Sequence, residues 1–302
     1  MGYLHIGQNL MLEDKRIIGI FDLDNTSQSK ITRTFLKSYP KERKEVSLPE
    51  YKRNQMQLPI GIDEYLTYLQ KWQDCFTGDS FVYDYPLGRS HYGDLGYVGI
   101  SKIIAEDIHH LSDIGLNGYV SCQELRAAFP NSMPNYVMGH LLFDKTLTYE
   151  EIEEEYFKGA YGTEWKLALD YVHTISKYSN CDYFNGKGPR VQETLHQNFT
   201  LLWEEAKRFQ PEIEKMYEKL KEVATEQETV LFFWKLLVYY TQYAKLLGEG
   251  LMHLSAGEKA KADSLYAKFC QLVRENELEF QPYLDVYRLV EIGVCFAGFK
   301  RP

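Results

Sequence analysis

Residues 79–125, DSFVYDYPLGRSHYGDLGYVGISKIIAEDIHHLSDIGLNGYVSCQEL, decide how the rest of the chain is read. Phe81-Val82-Tyr83-Asp84-Tyr85 is a β-branched and aromatic run closed by Pro86 and Gly88, the composition of a strand and its stop. Over residues 100–114, Ile103, Ile104, Ile108, Leu111 and Ile114 share one helical stripe, and Gly115 ends it. Asn117-Gly118 then leads into Tyr119-Val120-Ser121-Cys122, a second strand. Strand, helix and strand at this spacing predict a βαβ unit with two parallel strands. In such units functional groups gather in the loops after the strand C-termini. Those loops carry Asp84, Tyr85, Arg89, His91 and Tyr92, then Gln123, Glu124 and Arg126.

Downstream the periodicity is helical throughout. Pro134 opens a helix that runs to Phe143, and Thr148 with Glu151 forms a capping box ahead of the acidic run 150–155. Further helical patterns cover 163–177, 193–209, 211–223, 226–254 and 257–276, with Pro211 separating two of them. The most apolar run, 230–247, carries Lys235, Gln242 and Lys245 on one narrow stripe with Glu249, which describes a core helix and not a membrane span. Upstream, strands are expected at 3–6 and 16–22, a helix at 29–36, a charged linker at 41–57 and an amphipathic helix at 62–76. In that last helix Tyr65, Leu66, Leu69 and Trp72 are expected to face inward.

The 302 residues are 44% hydrophobic and 25% charged, enough for a sizeable core. A net charge of −9 argues against wholesale nucleic-acid binding. The five cysteines are scattered with no C-x-x-C, so neither a metal site nor a disulfide framework is expected, and a reducing compartment fits. The start lacks the basic-then-apolar pattern of a secretory signal, which gives an expectation of a cytoplasmic protein. No nucleotide-binding glycine motif is present, and no cofactor is expected.

Leu4-His5-Ile6-Gly7, residues 17–24 (IIGIFDLD), Ser29-Lys30-Ile31-Thr32-Arg33 and Phe35-Leu36 closely resemble the RemB type of extracellular matrix regulatory protein, as far as about Leu48. That resemblance implies an oligomeric DNA-binding regulator, here truncated. Residues 58–177 look similar to an uncharacterised glycoside-hydrolase-like family that pairs a (β/α)8 barrel with a helical C-terminal region. The likeness rests on the run at 81–85, Ile104 with Glu106-Asp107-Ile108, Gly115 with Gly118, Leu141-Leu142-Phe143-Asp144, and Tyr156 with Gly159, Tyr161 and Gly162. It implies carbohydrate as substrate class and glycosidic hydrolysis as reaction. A closed barrel takes ~250 residues, so only a few βα units fit here. Joined, the two resemblances read as a gene fusion or an assembly error. The expected fold is therefore α+β. It has a small β-rich N-terminal module (1–50), a partial, incomplete TIM-barrel-like segment (56–147) and a large all-α region (148–302).

Glycosidic hydrolysis needs two carboxyl groups. Asp84 and Glu124 are the carboxylates at the ends of the two strands and are the catalytic candidates. Alternation sets Asp84 on the opposite face from Tyr83 and Tyr85, so one or the other faces inward. The bland alternative is that Asp84 caps a loop and Glu124 starts a helix. Tyr85, Arg89, His91, Tyr92 and Gln123 are the substrate-binding candidates. A non-enzymatic regulatory or interaction protein is the rival reading. An open sheet edge invites pairing with another copy or with a partner chain that completes the barrel.

Overall fold

The computed structural model describes residues 3–5, 11–13, 61–76, 78–124, 126–223 and 228–302. The chain divides into two units, 1–74 and 75–302. In the first, β1 (Tyr3–His5) pairs antiparallel with β2 (Met11–Glu13), Leu4 opposite Leu12. Helix α1 spans Ile62–Cys75 and buries no residue. Tyr65, Leu66 and Trp72 are exposed, so the inward stripe expected there is corrected. Periodicity marks the side of a helix that can be covered, but only a facing element buries it. The strand expected at 16–22, the helix at 29–36 and the linker at 41–57 lie outside the described residues.

The second unit opens with the βαβ arrangement. Strand β3 (Phe81–Asp84) runs parallel to β4 (Gly118–Ser121), with Phe81 opposite Gly118 and Asp84 opposite Ser121. Helix α2 (Val98–His110) connects them and buries Ile100, Ser101, Ile104, Ala105 and Ile108. Residues 101, 104, 105 and 108 form the i, i+3, i+4, i+7 stripe, whereas Ile103 is 55% exposed and Ile114 is also exposed. Ile104 and Ile108 are thus inward as expected and Leu111 packs against the core, whereas Ile103 and Ile114 are not inward. A 3-10 turn, Leu111–Ile114, follows α2.

The rest of the unit is helical. Helices α3 (Met133–Phe143), α4 (Tyr149–Tyr161) and α5 (Trp165–Lys177) lead, through the short α6 (Cys181–Phe184), into α7 (Glu193–Val223) and α8 (Glu228–Ser255). Then come α9 (Lys259–Glu275), the short α10 (Glu277–Phe280) and α11 (Val286–Ile292). The capping box before α4 is complete, with Thr148 accepting from the Glu151 amide and Glu151 accepting from the Thr148 amide. Pro211 lies inside one continuous helix instead of dividing two, which corrects the expected break at 210. A proline removes one helical hydrogen bond, and packing over 31 residues outweighs that loss here.

Helix α8 is the axis of the core. It packs along α7 and α9, and its Trp234, Tyr240, Tyr243 and Leu251 are buried. The α7–α8 approach is close at Gly248, where a Cβ would sit 2.5 Å from Leu202 and 3.3 Å from the Trp203 backbone. Lys235, Gln242, Lys245 and Glu249 form the half-buried polar stripe of α8, and Lys245 donates to Gln210 of α7 at 2.7 Å. The buried cluster runs without interruption from Leu87 to Phe299, across residue 147.

The α+β expectation with a partial barrel is therefore corrected. Helix accounts for 72% of the described residues, and the second unit's sheet has two strands. A barrel wall needs strands alternating with helices. After β4 the described extended pairing is a single bridge between Ala127 and Leu284. The helical C-terminal region is as expected. Among the described residues no helix is long and apolar enough to cross a membrane.

Candidate functional site

The loop leaving β3 departs from the outer face and dives into the core. Along β3 and the residue that follows it, alternation puts Phe81, Tyr83 and Tyr85 outward, 65%, 54% and 61% exposed, with the Tyr83 and Tyr85 rings edge to face at 5.2 Å. Asp84 turns the other way, accepting from the Tyr119 hydroxyl at 2.8 Å and from the Tyr85 amide at 2.7 Å. Arg89 donates to Asn185 at 3.0 Å and lies over the Phe296 ring at 4.2 Å.

The single turn Ser90–Gly93 then carries His91 and Tyr92 inward, and His91 is 1% exposed. The segment continues buried to Tyr97, which adopts φ 65° at the start of α2. Gly96 permits this path, because a Cβ there would lie 2.0 Å from the Val172 carbonyl oxygen of α5. Asp94 fixes the turn by accepting from the Ile100 amide at 2.8 Å and from the Ser176 hydroxyl. Burial pushes the Asp94 carboxyl up, against the lowering effect of those bonds.

Glu124, three residues beyond β4, is the centre of the arrangement. Its Oε2 accepts from the Tyr92 hydroxyl at 2.5 Å, and its Oε1 accepts from Arg288 Nε at 2.8 Å. His91 Nε2 lies 3.9 Å from Oε2, too far for a hydrogen bond. Arg288, on α11, also binds Glu291, and Asp285 caps that helix by accepting from the Arg288 amide at 2.9 Å. Desolvation raises the Glu124 carboxyl, opposed by Tyr92 and Arg288. Desolvation lowers His91 to about 3, with the Arg288 charge adding to it, so His91 is neutral at ordinary pH. Tyr92 is raised by burial and then by its bond to Glu124.

The expected site residues are thus only partly assembled. Tyr92 and Glu124 meet, with His91 beside them. Tyr85 stands exposed on the sheet face, and Asp84 serves Tyr119. Gln123 donates to Asn135 at 2.8 Å and accepts from Ser121 at 3.1 Å. Glycosidic hydrolysis wants a second carboxyl near the first. Asp84 and Glu124 share no hydrogen-bond partner among the described residues. Arg288 was missed by sequence reading. Its signal was the i, i+3 run Asp285, Arg288, Glu291, which marks a capped, charged helix start but not its partner.

A second, open groove of about 470 Å3 lies between α5 and α7 and is lined by Asp170, His173, Thr174, Arg208, Phe209 and Glu212. Its His173 is bound to Glu153 at 2.8 Å, which also accepts from Tyr149 at 2.6 Å. Among the described residues no group of three or more His, Cys, Asp and Glu could hold a metal. No protein-family model, no curated protein and no solved structure matches the chain.

Proposed function

We propose that this chain is a non-enzymatic interaction protein in which the helical body presents β3 and β4 for docking by another polypeptide strand. One observation carries the reading, the outward face of a parallel strand pair bearing Phe81, Tyr83 and Tyr85, each more than half exposed, with Val120 also exposed on β4. Parallel strands are ordinarily covered on both faces, and isolated strand pairs are marginal in water. Among the described residues the second unit adds no third strand. Strand addition would pair an open edge, and alternate aromatic side chains would supply the apolar contact. A second copy of the chain is the simplest occupant, because a two-fold axis pairs like edges antiparallel.

Sedimentation velocity over a concentration series tests this. The expected result is reversible self-association that Tyr83→Ser with Tyr85→Ser weakens by tenfold or more. A wild-type chain that stays monomeric at about 100 µM, yet has its tyrosine fluorescence altered by soluble oligosaccharides, transfers the same face to carbohydrate.

A second reading rests on Glu124. A desolvated carboxyl at the end of a parallel strand, hydrogen-bonded by a tyrosine and an arginine, is the environment of an acid/base group. Turnover of aryl glycosides that Glu124→Gln abolishes would favour hydrolysis. Wild-type protein without turnover leaves docking as the function.

A further inference from the structure

The loop that follows the short helix α6 is gripped by two arginines. Arg89 reaches it from the segment after β3, donating through Nε to Asn185 at 3.0 Å with its guanidinium over the Phe296 ring at 4.2 Å. Arg190 closes it from the other end, donating through Nη1 to the Tyr183 carbonyl at 2.6 Å with its guanidinium over the Tyr183 ring at 4.5 Å. Gly186 is beside both. A Cβ there would be 3.5 Å from Phe296 Cδ1, in the ring on which Arg89 stacks, and 3.7 Å from Arg190 Nη2. Gly186 and Gly188 hold left-handed φ values of 76° and 73°, which turn the loop back on itself.

Both arginines are half-buried. Among the described residues neither is paired with a carboxylate, whereas Arg208 is held by Glu205 and Arg288 by Glu124 and Glu291. In a chain of net charge −9, carboxylates are not scarce. Each of the two spends one N–H on a neutral oxygen, and a guanidinium carries several more. That bond and the stacked ring fix the plane of the fork and leave its charge uncompensated. Anchoring the loop takes the one bond; the remaining donors and the charge are surplus to it.

We propose that Arg89, Arg190 and the exposed loop 186–188 form a binding site for a small phosphate dianion, free or as a monoester. A guanidinium fork matches two phosphate oxygens, and a fork held in place beforehand loses less freedom on binding. Two such charges balance the two of a phosphate monoester. Lys187, on the same loop, pairs with Asp182 at 3.5 Å, but both side chains are well exposed, so the pair is weak and the ammonium can turn to the ligand. The negative charge of the whole chain disfavours a polyanion such as nucleic acid and so selects a small ligand. The site shares no residue with the strand face proposed for docking, and its test is independent of that reading.

Nitrogen-15 spectra of the full chain, titrated with inorganic phosphate at constant ionic strength, test the site. The expected result is saturable shifts of the Gly186 and Gly188 amides and of the Arg89 and Arg190 Nε resonances, with one Kd of about 1 mM or below. At about pH 8, above the second phosphate ionisation, methyl phosphate is a dianion and dimethyl phosphate a monoanion, and the first is expected to bind tenfold more tightly or better. Methyl phosphate tighter than inorganic phosphate makes a phosphorylated metabolite the ligand, and equal binding makes it free phosphate. Arg89→Gln and Arg190→Gln are each expected to weaken binding tenfold or more, and the lysine variants, which keep the charge without the fork, to weaken it less. A folded glutamine variant that binds phosphate like the wild type overturns the proposal. Should neither variant fold, the wild-type titration decides. Shifts that do not saturate, that spread over surface lysines, or that both methylated phosphates produce equally overturn the site.

Discussion

Glu124 receives one hydrogen bond from Tyr92, 32 residues before it, and another from Arg288, 164 residues after it. Removing its charge leaves the Tyr92 bond intact and strips Arg288 of a partner. Arg288 is 38% exposed, so solvent recovers part of the loss. Glu124→Gln is expected to cost about 1–2 kcal/mol in urea unfolding. In a double-mutant cycle with Arg288→Met, a coupling below about 0.3 kcal/mol would show that the pair does not fasten α11. His91 gives a pH dependence of definite sign. Its folded value is about 3, below the ~6.5 of an unfolded histidine. The stability it contributes is fully present above pH ~6.5 and is lost as pH falls toward 3. By pH 4 that loss is about 3 kcal/mol. Glu124 acts in the opposite sense. Its folded value is raised, so its contribution is fully present below the unfolded carboxyl range and is lost as pH rises from there through the higher folded value. His91→Phe is therefore expected to flatten the acid side of the stability profile, and Glu124→Gln to steepen it. Urea midpoints measured from pH 4 to 8 read both, and parallel profiles for all three proteins would exclude the assignment.

The segment from Gly93 to Tyr97 shows how an element is held by what lies across from it. Gly93 abuts the Cys181 backbone, Gly96 abuts Val172, and Asp94 ties the start of α2 to Ser176 of α5. Gly96→Ala would set a methyl against a backbone carbonyl that cannot rotate away. Overpacking of this kind costs about 1–3 kcal/mol, and a lowered Tm with weakened near-ultraviolet tyrosine signals is the expected result. An unchanged Tm would mean that the loop relaxes freely. The elements differ in how far sequence revealed them. The βαβ unit was legible because its periodicity changes from two to 3.6 and back between clear punctuating residues. The capping box was legible because both of its bonds are local. The buried face of α2 was read correctly at Ile104 and Ile108 but drawn too wide, since Ile103 is as apolar as Ile104 and only the partner distinguishes them. Pro211 was misread as a boundary, because the loss it causes is local while the packing that offsets it is with α8.

On the scale of the whole molecule, the helical region was visible in sequence, but the fold class was not. Two strands suggested a sheet that the remaining chain never extends among the described residues. The candidate site was half legible for a related reason. Glu124 and Tyr92 stand out beside their strands, but a polar loop reads as surface, and nothing local announces that His91 is buried or that α11 supplies Arg288. The same topology leads to the last prediction. Half the amides of a strand point away from its single neighbour, so in a two-stranded sheet each strand keeps one unpaired edge. In dilute protein, amides of β3 and β4 should exchange with deuterium much faster than those of α8, which the core encloses. If another copy docks on the strands, raising the concentration through the association range should slow exchange at residues 81–84 and 118–121 by tenfold or more, leaving α8 unchanged. Slowing spread evenly over the molecule would indicate general stabilisation and count against docking. Exchange in β3 and β4 that is already slow when dilute would mean that the edges are covered within one chain.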